Sequence, residues 1–345
     1  MKRAGHLFAQ VADFSALCAA ARRAARGKGQ SQSAASFLFH LETEVLKLQR
    51  ELIDGGYQPR PYRTFFVSDP KPRTISAADF RDRVAHHALC AALEPLFERA
   101  AISDSYACRP GKGSHAAARR ARAFSRRYGY FLKLDIRKFF ENVDHEVLKA
   151  GLRRLVKDAR LLQLAGCIIG HGAPGSAAGK GLPIGNLTSQ HFANHYLCPL
   201  DHFIKQQLKV RGYLRYMDDL LLFSAAKESL RDARRRIQEF VEQELKLELK
   251  DEASVLAPVS EGIPFLGLRL WPKLVRLDGP GKRRLVYALR QGAQGLASGR
   301  LSEDALAASL RSRLGHAAHA DTLALRRSLG DLMDSGTGAL RAPTA

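Results

Sequence analysis

Acidic residues are scarce in this chain. Its 345 residues include 55 Lys and Arg against 34 Asp and Glu, a formal charge of +21 and a pI near 10.1. A deficit that large points to a polyanionic partner, most simply nucleic acid. Cysteine is sparse as well: Cys18, Cys90, Cys108, Cys167 and Cys198 are odd in number and far apart. That spacing excludes a disulfide framework and a Cys-based zinc site and fits reduced cytosolic thiols. No run of 18 apolar residues is present, which excludes a transmembrane helix. The N-terminal stretch MKRAGHLFAQVADF carries Asp13 inside its apolar part and has no signal-peptide core. No internal repeat is visible. What the chain does have is 46% hydrophobic residues, enough to exclude a disordered basic tail. The length suits about two domains or subdomains around a substantial core.

Apolar periodicity organises the chain. The first 26 residues read as Ala- and Arg-rich helix, followed by a polar loop over Gly27–Ser36. Leu38, Leu41, Val45, Leu48 and Leu52 recur at three- and four-residue spacings, one helical face stopped by Gly55-Gly56. Thr64-Phe-Phe-Val67, in a proline-rich stretch, predicts extended structure. A helix fits Asp82–Arg99, with Pro95 as its difficulty. Arg119, Arg120, Arg122, Arg126 and Arg127 form either a solvated helix face or a phosphate-facing one. Tyr130–Ile136 reads as a strand, Gly170–Gly185 as a loop, Tyr213–Phe223 as strand, acidic turn, strand. Residues 227–248 read as a long charged helix, Phe265–Trp271 as one strand, and the chain beyond about 285 as helix. Strands interleaved with helices predict an α+β fold rather than a bundle.

The chemistry concentrates in Arg215-Tyr-Met-Asp-Asp-Leu-Leu-Leu-Phe223. Two adjacent carboxylates at the tip of an apolar hairpin repel each other, and a divalent cation relieves that repulsion. Oxygen-only donors select Mg²⁺ or Mn²⁺. Asp135 closes a second apolar strand, a poor place for a core residue and a good one for a metal ligand. If the two strands lie side by side, three carboxylates meet. They then suit two metals that stabilise an in-line phosphoryl displacement. Asp144 fits better as the N-cap of a helix beginning at His145.

In chain order, Lys71-Pro-Arg73 with Asp82-Arg83, Leu134-Asp-Ile-Arg-Lys-Phe-Phe140, Leu182-Pro-Ile-Gly-Asn-Leu-Thr-Ser-Gln190, Tyr216-Met-Asp-Asp219 and Phe265-Leu-Gly267 together resemble the reverse transcriptases. The resemblance implies a right-hand polymerase of fingers, palm and thumb, with an antiparallel palm sheet carrying the YMDD hairpin. Its divisions would be an N-terminal helical extension and linker (1–36), fingers (37–130), palm (131–271, with a fingers insertion around 150–180) and helical thumb (272–345). It assigns Asp135, Asp218 and Asp219 to catalysis, and the same three with Ile136 to two Mg²⁺ ions, for which Mn²⁺ can substitute. Lys71, Arg73, Phe140, Ile184, Gly185 and Gln190 would face the dNTP, with Phe140 excluding a ribose 2′-OH; a core Phe beside Phe139 is the plainer alternative. Lys250 would protonate the leaving pyrophosphate, with Lys246 as its competitor. Phe265, Leu266 and Gly267 would grip the primer, or form a plain sheet strand.

Within the family, Ile184 stands where many members have Gln, and Gln190 where they have Pro. That pattern, with DPKPR, FRDRVAHHAL and IGNLTSQHFANHYL, resembles the enzymes of diversity-generating retroelements. These copy a template RNA into adenine-mutated cDNA. The branch implies template RNA, an RNA/cDNA hybrid, dNTPs and a small basic accessory protein oligomer as partners, with no membrane, in a bacterial or phage-encoded cytoplasmic setting. Another bacterial reverse transcriptase, retron-like or from phage defence, and a non-catalytic RNA-binding scaffold are the rivals. No His-Asn-His nuclease, zinc-finger, RNase H or integrase pattern is visible. GSAAGKG (175–181) has the wrong spacing for a P-loop. His191/His195 and His86-His87 read as helix-surface histidines.

Overall fold

A computed structural model describes the chain apart from residues 1, 28–30, 69–71, 326 and 328–345. Lys71, one of the expected dNTP contacts, and the last stretch of the expected thumb therefore lie outside the described residues. Helices α1 (Phe8–Val11) and α2 (Phe14–Ala25) build the N-terminus, and α2 starts where the Asp13 carboxylate accepts the Ala16 N–H. The loop expected over Gly27–Ser36 is shorter than that. Helix α3 (Gln32–Phe39) begins inside it because Ala34 and Phe37 have core to bury against, so a boundary at 36 falls within a helix. Helix α4 (Leu41–Ile53) buries Val45, Leu48 and Leu52 as the spacing predicts.

Strands β1 (Arg63–Val67) and β2 (Arg73–Ala77) form an antiparallel hairpin whose first strand is exposed throughout. Helix α5 (Phe80–Ala100) is long and largely buried, and Pro95 is accommodated within it. Helix α6 (Ser114–Ser125) carries Arg119, Arg120 and Arg122, with Arg126 and Arg127 just past its end, and much of that cluster faces protein. Arg120 pairs with Asp104 at 2.8 Å, and Arg122 and Arg126 donate to the carbonyls of Pro272 and Lys273. Arg119 and Arg127 stay exposed.

Strand β3 (Tyr130–Leu134) is followed by the helices α7 (Phe139–Asn142), α8 (His145–Leu155) and α9 (Ala159–Gly170). The Asp144 carboxylate caps α8, accepting the Glu146 and Val147 N–H groups at 3.0 Å each. After the irregular stretch expected at 170–185 come α10 (Leu187–Tyr196), α11 (Cys198–His202) and one π-type turn, then β4 (Gly212–Tyr216), β5 (Asp219–Ser224), α12 (Lys227–Leu245) and β6 (Val255–Pro258). The four strands form one antiparallel sheet in the order β4-β5-β3-β6. Central strand β5 carries the unbroken apolar run Leu220–Phe223, and β3 is apolar but for Tyr130 and Lys133, because both faces of the sheet are covered. Leu132, Leu134, Leu220 and Leu222 enter one hydrophobic core, and Phe131, Leu221 and Phe223 enter a second. Two-residue alternation distributes them between the two.

The single strand expected over Phe265–Trp271 is instead a hairpin. Strands β7 (Ile263–Phe265) and β8 (Leu268–Leu270) turn at Leu266 (φ 52°) and Gly267 (φ 78°), and β9 (Val275–Leu277) completes the sheet. Two consecutive positive φ angles are what a tight two-residue loop needs, and the glycine was its sequence signal. Helices α13 (Gly279–Ala297) and α14 (Glu303–Ala317) pack around Leu285, Leu289 and Ala317. Among the described residues no helix is long and apolar enough to cross a membrane.

Candidate active site

Tyr216 pairs with Asp219 across the β4–β5 hairpin, so Met217 and Asp218 are its two loop residues. On the other flank, β5 pairs with β3, with Leu134 opposite Leu220. Carried one residue further, that register sets Asp135 opposite Asp219. Acidic residues distant in sequence thus share one end of the sheet. The Asp135 carbonyl accepts the Lys250 N–H at 2.8 Å, and Ile136 bridges Leu249. The Ile136 side chain is 1% exposed and belongs to the core, leaving its main chain for the rim.

The electrostatics of this rim are unbalanced. Burial pushes the Asp218 carboxyl up to about 6, Asp135 and Asp219 push it the same way, and Arg73 opposes them. Asp219 Oδ1 is sealed from solvent with no hydrogen bond. Lys133 Nζ stands 3.1 Å from it, close enough for an ion pair but badly angled for a hydrogen bond. Among the described residues no three His, Cys, Asp or Glu side chains are drawn together closely enough to hold an ion. Hard oxygen donors with one buried, unsatisfied carboxylate oxygen nonetheless fit a divalent cation of the Mg²⁺ type.

Residues from the β1–β2 hairpin and the Gly-rich loop come together beside this rim. A cavity of about 490 Å³ is lined by Arg73, Lys138, Lys180 and Ile184, with Glu141 also on its wall. Ile184 is half-buried, and its carbonyl accepts the Ser76 N–H at 2.8 Å. Gly185 has a φ of 115°, and a Cβ there would stand 2.7 Å from Ile75 Cγ2, so only glycine fits. Asn186, passed over in the sequence, clamps β2 on both sides: its Oδ1 accepts the Ala78 N–H and its Nδ2 donates to the Ser76 carbonyl. Its sequence signal was an Asn directly after Gly185, in the N-cap position of the helix that begins at Leu187. Phe139 fills the core, leaving Phe140 half-buried with the rings 5.6 Å apart. Gln190 lies away from this cavity, exposed, its Oε1 accepting from Cys108 Sγ. Lys246 is committed elsewhere, its Nζ 3.0 Å from Asp144 Oδ2, whereas Lys250 adjoins Asp135 through its main chain.

The histidines differ from the surface reading. His86 and His195 are 2% and 7% exposed, and His191 and His195 both stack on Phe97. Burial drives His86 down to about 3 and His195 down to about 4, so both are neutral core groups. Sequence reasoning also missed Lys133 and Arg215, cations placed on otherwise apolar strands. That placement was itself the available signal.

Comparison with known proteins bears on the family and the fold. The family model described as reverse transcriptase (RNA-dependent DNA polymerase) matches residues 68–270. Protein YkfC of Escherichia coli (strain K12) is 28% identical over 294 residues, covering 73% of this chain and 76% of its own length. The group II intron-encoded protein LtrA of Lactococcus lactis subsp. cremoris is 23% identical over 314 residues, covering 70% of this chain and 51% of LtrA. The chain thus spans about half of that relative. The solved structure of apo telomerase from Candida tropicalis, truncated from its C-terminal domain, superposes with a TM-score of 0.50 at 13% identity, over 66% of this chain and 59% of that one. At that identity the likeness concerns the fold alone. The matched span takes in more than half of the chain and contains all three rim aspartates, and the chain belongs to the reverse transcriptase family of RNA-dependent DNA polymerases.

Proposed function

We propose that this chain copies an RNA template into DNA by nucleotidyl transfer at Asp135, Asp218 and Asp219. The observation that supports it most is the β3–β5 register: its last pair, Leu134 with Leu220, leaves Asp135 and Asp219 as the next residues on the two neighbouring strands. The primer 3′-OH attacks the dNTP α-phosphate, the bond to the bridging oxygen breaks, and pyrophosphate leaves. Asp135, Asp218, Asp219 and the Ile136 main chain would hold two Mg²⁺ ions, or Mn²⁺ in their place. Such ions, when bound, supply charge stabilisation to the attacking and leaving oxygens. Arg73 and Lys71 engage the triphosphate, where a guanidinium fork and an ammonium point charge both suit phosphate oxygens. Lys138 and Lys180 line the same cavity as Arg73 and extend its positive field. Phe140 crowds the sugar and Gly185 lets the chain approach closely, while Gln190, expected to face the dNTP, is not part of the cavity lining. Lys250 Nζ gives a proton to the departing pyrophosphate. Residues 37–130 serve as fingers, 131–271 as palm and 272–345 as thumb, with Phe265, Leu266 and Gly267 holding the primer end.

The finer reading is a diversity-generating retroelement enzyme, assisted by a template RNA and a small basic accessory protein oligomer. Ile184 supports it, since a side chain that only packs cannot orient a base pair by hydrogen bonding, and discrimination weakens accordingly. Relatedness to LtrA favours a second reading, an intron RNA as template. Primer extension with Mg²⁺ or Mn²⁺ tests the activity. Asp135→Asn and Asp218→Asn should each lose about 10³-fold or more in rate, and equal inactivity of wild type and variants would favour the scaffold reading. Sequencing the cDNA tests the subtype: Ile184→Gln should lower misincorporation opposite adenine, and an unchanged error spectrum removes Ile184 from the explanation.

A further inference from the structure

Arg215 lies on β4, two residues before the YMDD loop residue Met217, and is 0% exposed. Every one of its five N–H donors has an acceptor. Nε and Nη2 bond the two oxygens of Asp201 at 2.8 and 2.7 Å, and Nη2 also reaches the Asn194 carbonyl at 3.2 Å. Nη1 divides between Asn194 Oδ1 at 2.9 Å and the Met217 carbonyl at 3.0 Å. Asp201, itself 0% exposed, is further held by the Tyr213 hydroxyl at 2.6 Å. Asn194 Nδ2 donates to the Ala107 carbonyl, and the Arg215 main chain bonds Asp104 and Tyr106. The Met217 carbonyl belongs to a residue with φ of 55°, a conformation that costs any side-chain-bearing residue free energy. Its carbonyl also begins the peptide that carries Asp218.

From this geometry we propose that Arg215, oriented by Asp201 and Asn194, is the positioning residue that holds Met217 in its left-handed conformation and so presents Asp218 to metal and substrate. This rests on the role of Asp218 in the proposed function. An ammonium cannot reproduce the fork. Arg215→Lys keeps a charge for Asp201 but abandons the Met217 carbonyl.

The test is a double-mutant cycle with Met217→Gly. Glycine enters the left-handed region without a Cβ penalty, so it relieves the need for a clamp. Arg215→Lys should lower kcat about 10- to 100-fold with little change in dNTP KM, since a small misplacement of a reacting group has that effect. It should also raise the Mg²⁺ concentration needed for half-maximal rate. In the Met217→Gly background the loss from Arg215→Lys should shrink severalfold. An equal fractional loss in both backgrounds overturns the proposal, as does a loss expressed in KM alone.

Should Arg215→Lys fail to fold, the charge-neutral pair Arg215→Gln/Asp201→Asn avoids a stranded buried charge and enters the same cycle. Mn²⁺ binding without substrates, read by its paramagnetic relaxation of water, separates this proposal from the activity itself. Weaker binding in Arg215→Lys that recovers with Met217→Gly supports the clamp whether or not the chain polymerises. Unchanged binding removes the clamp, while an inactive wild type removes only the proposed function.

Discussion

Asp218→Asn should make the metal-free protein more stable at alkaline pH. Burial first, then the neighbouring Asp135 and Asp219, lift the Asp218 carboxyl from 3.8 to about 6. When the folded value exceeds the unfolded one, the fold prefers the protonated form. The stabilising contribution is then complete below about 3.8 and is lost as pH rises through about 6. At pH 8 the fold holds an ionised carboxylate where it prefers a neutral one. A shift of roughly two units at 1.36 kcal/mol each sets that cost at about 3 kcal/mol. Asparagine keeps the shape and cannot ionise, so it escapes the cost. With about 2 °C of Tm per kcal/mol in a chain of this size, the variant should melt about 4–6 °C higher at pH 8 in chelator. Near pH 4 the two proteins should melt together. Mg²⁺ should stabilise wild type more than the variant, because the charge it relieves is the one removed. Scanning calorimetry across pH 4–8 measures all three. A variant no more stable than wild type at pH 8, or a gain that persists undiminished at pH 4, refutes the reasoning.

Three further perturbations probe the supports of the site. Asp144→Ala removes the α8 cap and the partner of Lys246 and should cost about 1–2 kcal/mol at neutral pH, read by denaturant melts. Burial alone would raise the Asp144 carboxyl, but the Val147 N–H and Lys246 hold it below its ordinary value, so this cost should fade as pH drops and wild type protonates. Gly185→Ala puts a Cβ against Ile75 at a φ of 115°. It should raise the KM for dNTP and destabilise by about 1–3 kcal/mol, measured by steady-state primer extension and thermal melts. Lys250→Ala should lower kcat by about 10²-fold in steady-state primer extension, whereas Lys246→Ala should affect stability rather than rate.

Much of the fold was legible because burial writes itself into local sequence. The β5 run Leu220-Leu-Leu-Phe223 announces a strand covered on both faces, and the sheet has a core on each side of it. The 38–52 spacing announces the buried face of α4 in the same way. The errors fell where local pattern and tertiary context part. A polar, Ser-rich stretch before Phe37 looked like a linker, yet two apolar side chains with a surface to cover were enough to make it helix. The largely apolar stretch Phe265–Trp271, broken only by Gly267 and Arg269, concealed a turn, since two exceptional φ angles outweighed the hydrophobic pattern. His86 and His195 looked like surface residues because their type is usually wet, and only the packing of α5 against α10 shows otherwise.

The acidic rim was legible for a different reason. Carboxylates at the end of apolar strands are costly unless something compensates them, so their presence in such runs is itself information. The same reasoning applies to Arg215 and Lys133, and it went unused because a cation near aspartates reads as an ordinary ion pair. Placement separates the two cases. Lys133 faces Asp219 across the sheet from a partly open position, where it neutralises a charge. Arg215 is sealed below the turn and spends its donors on carbonyls and an amide as well as on Asp201, which is more than neutralisation requires. A buried guanidinium whose acceptors include the main chain of a strained residue therefore acts on conformation. In the proposed clamp the YMDD tip is set from beneath, by Arg215 and Asp201, which have no surface open to a substrate.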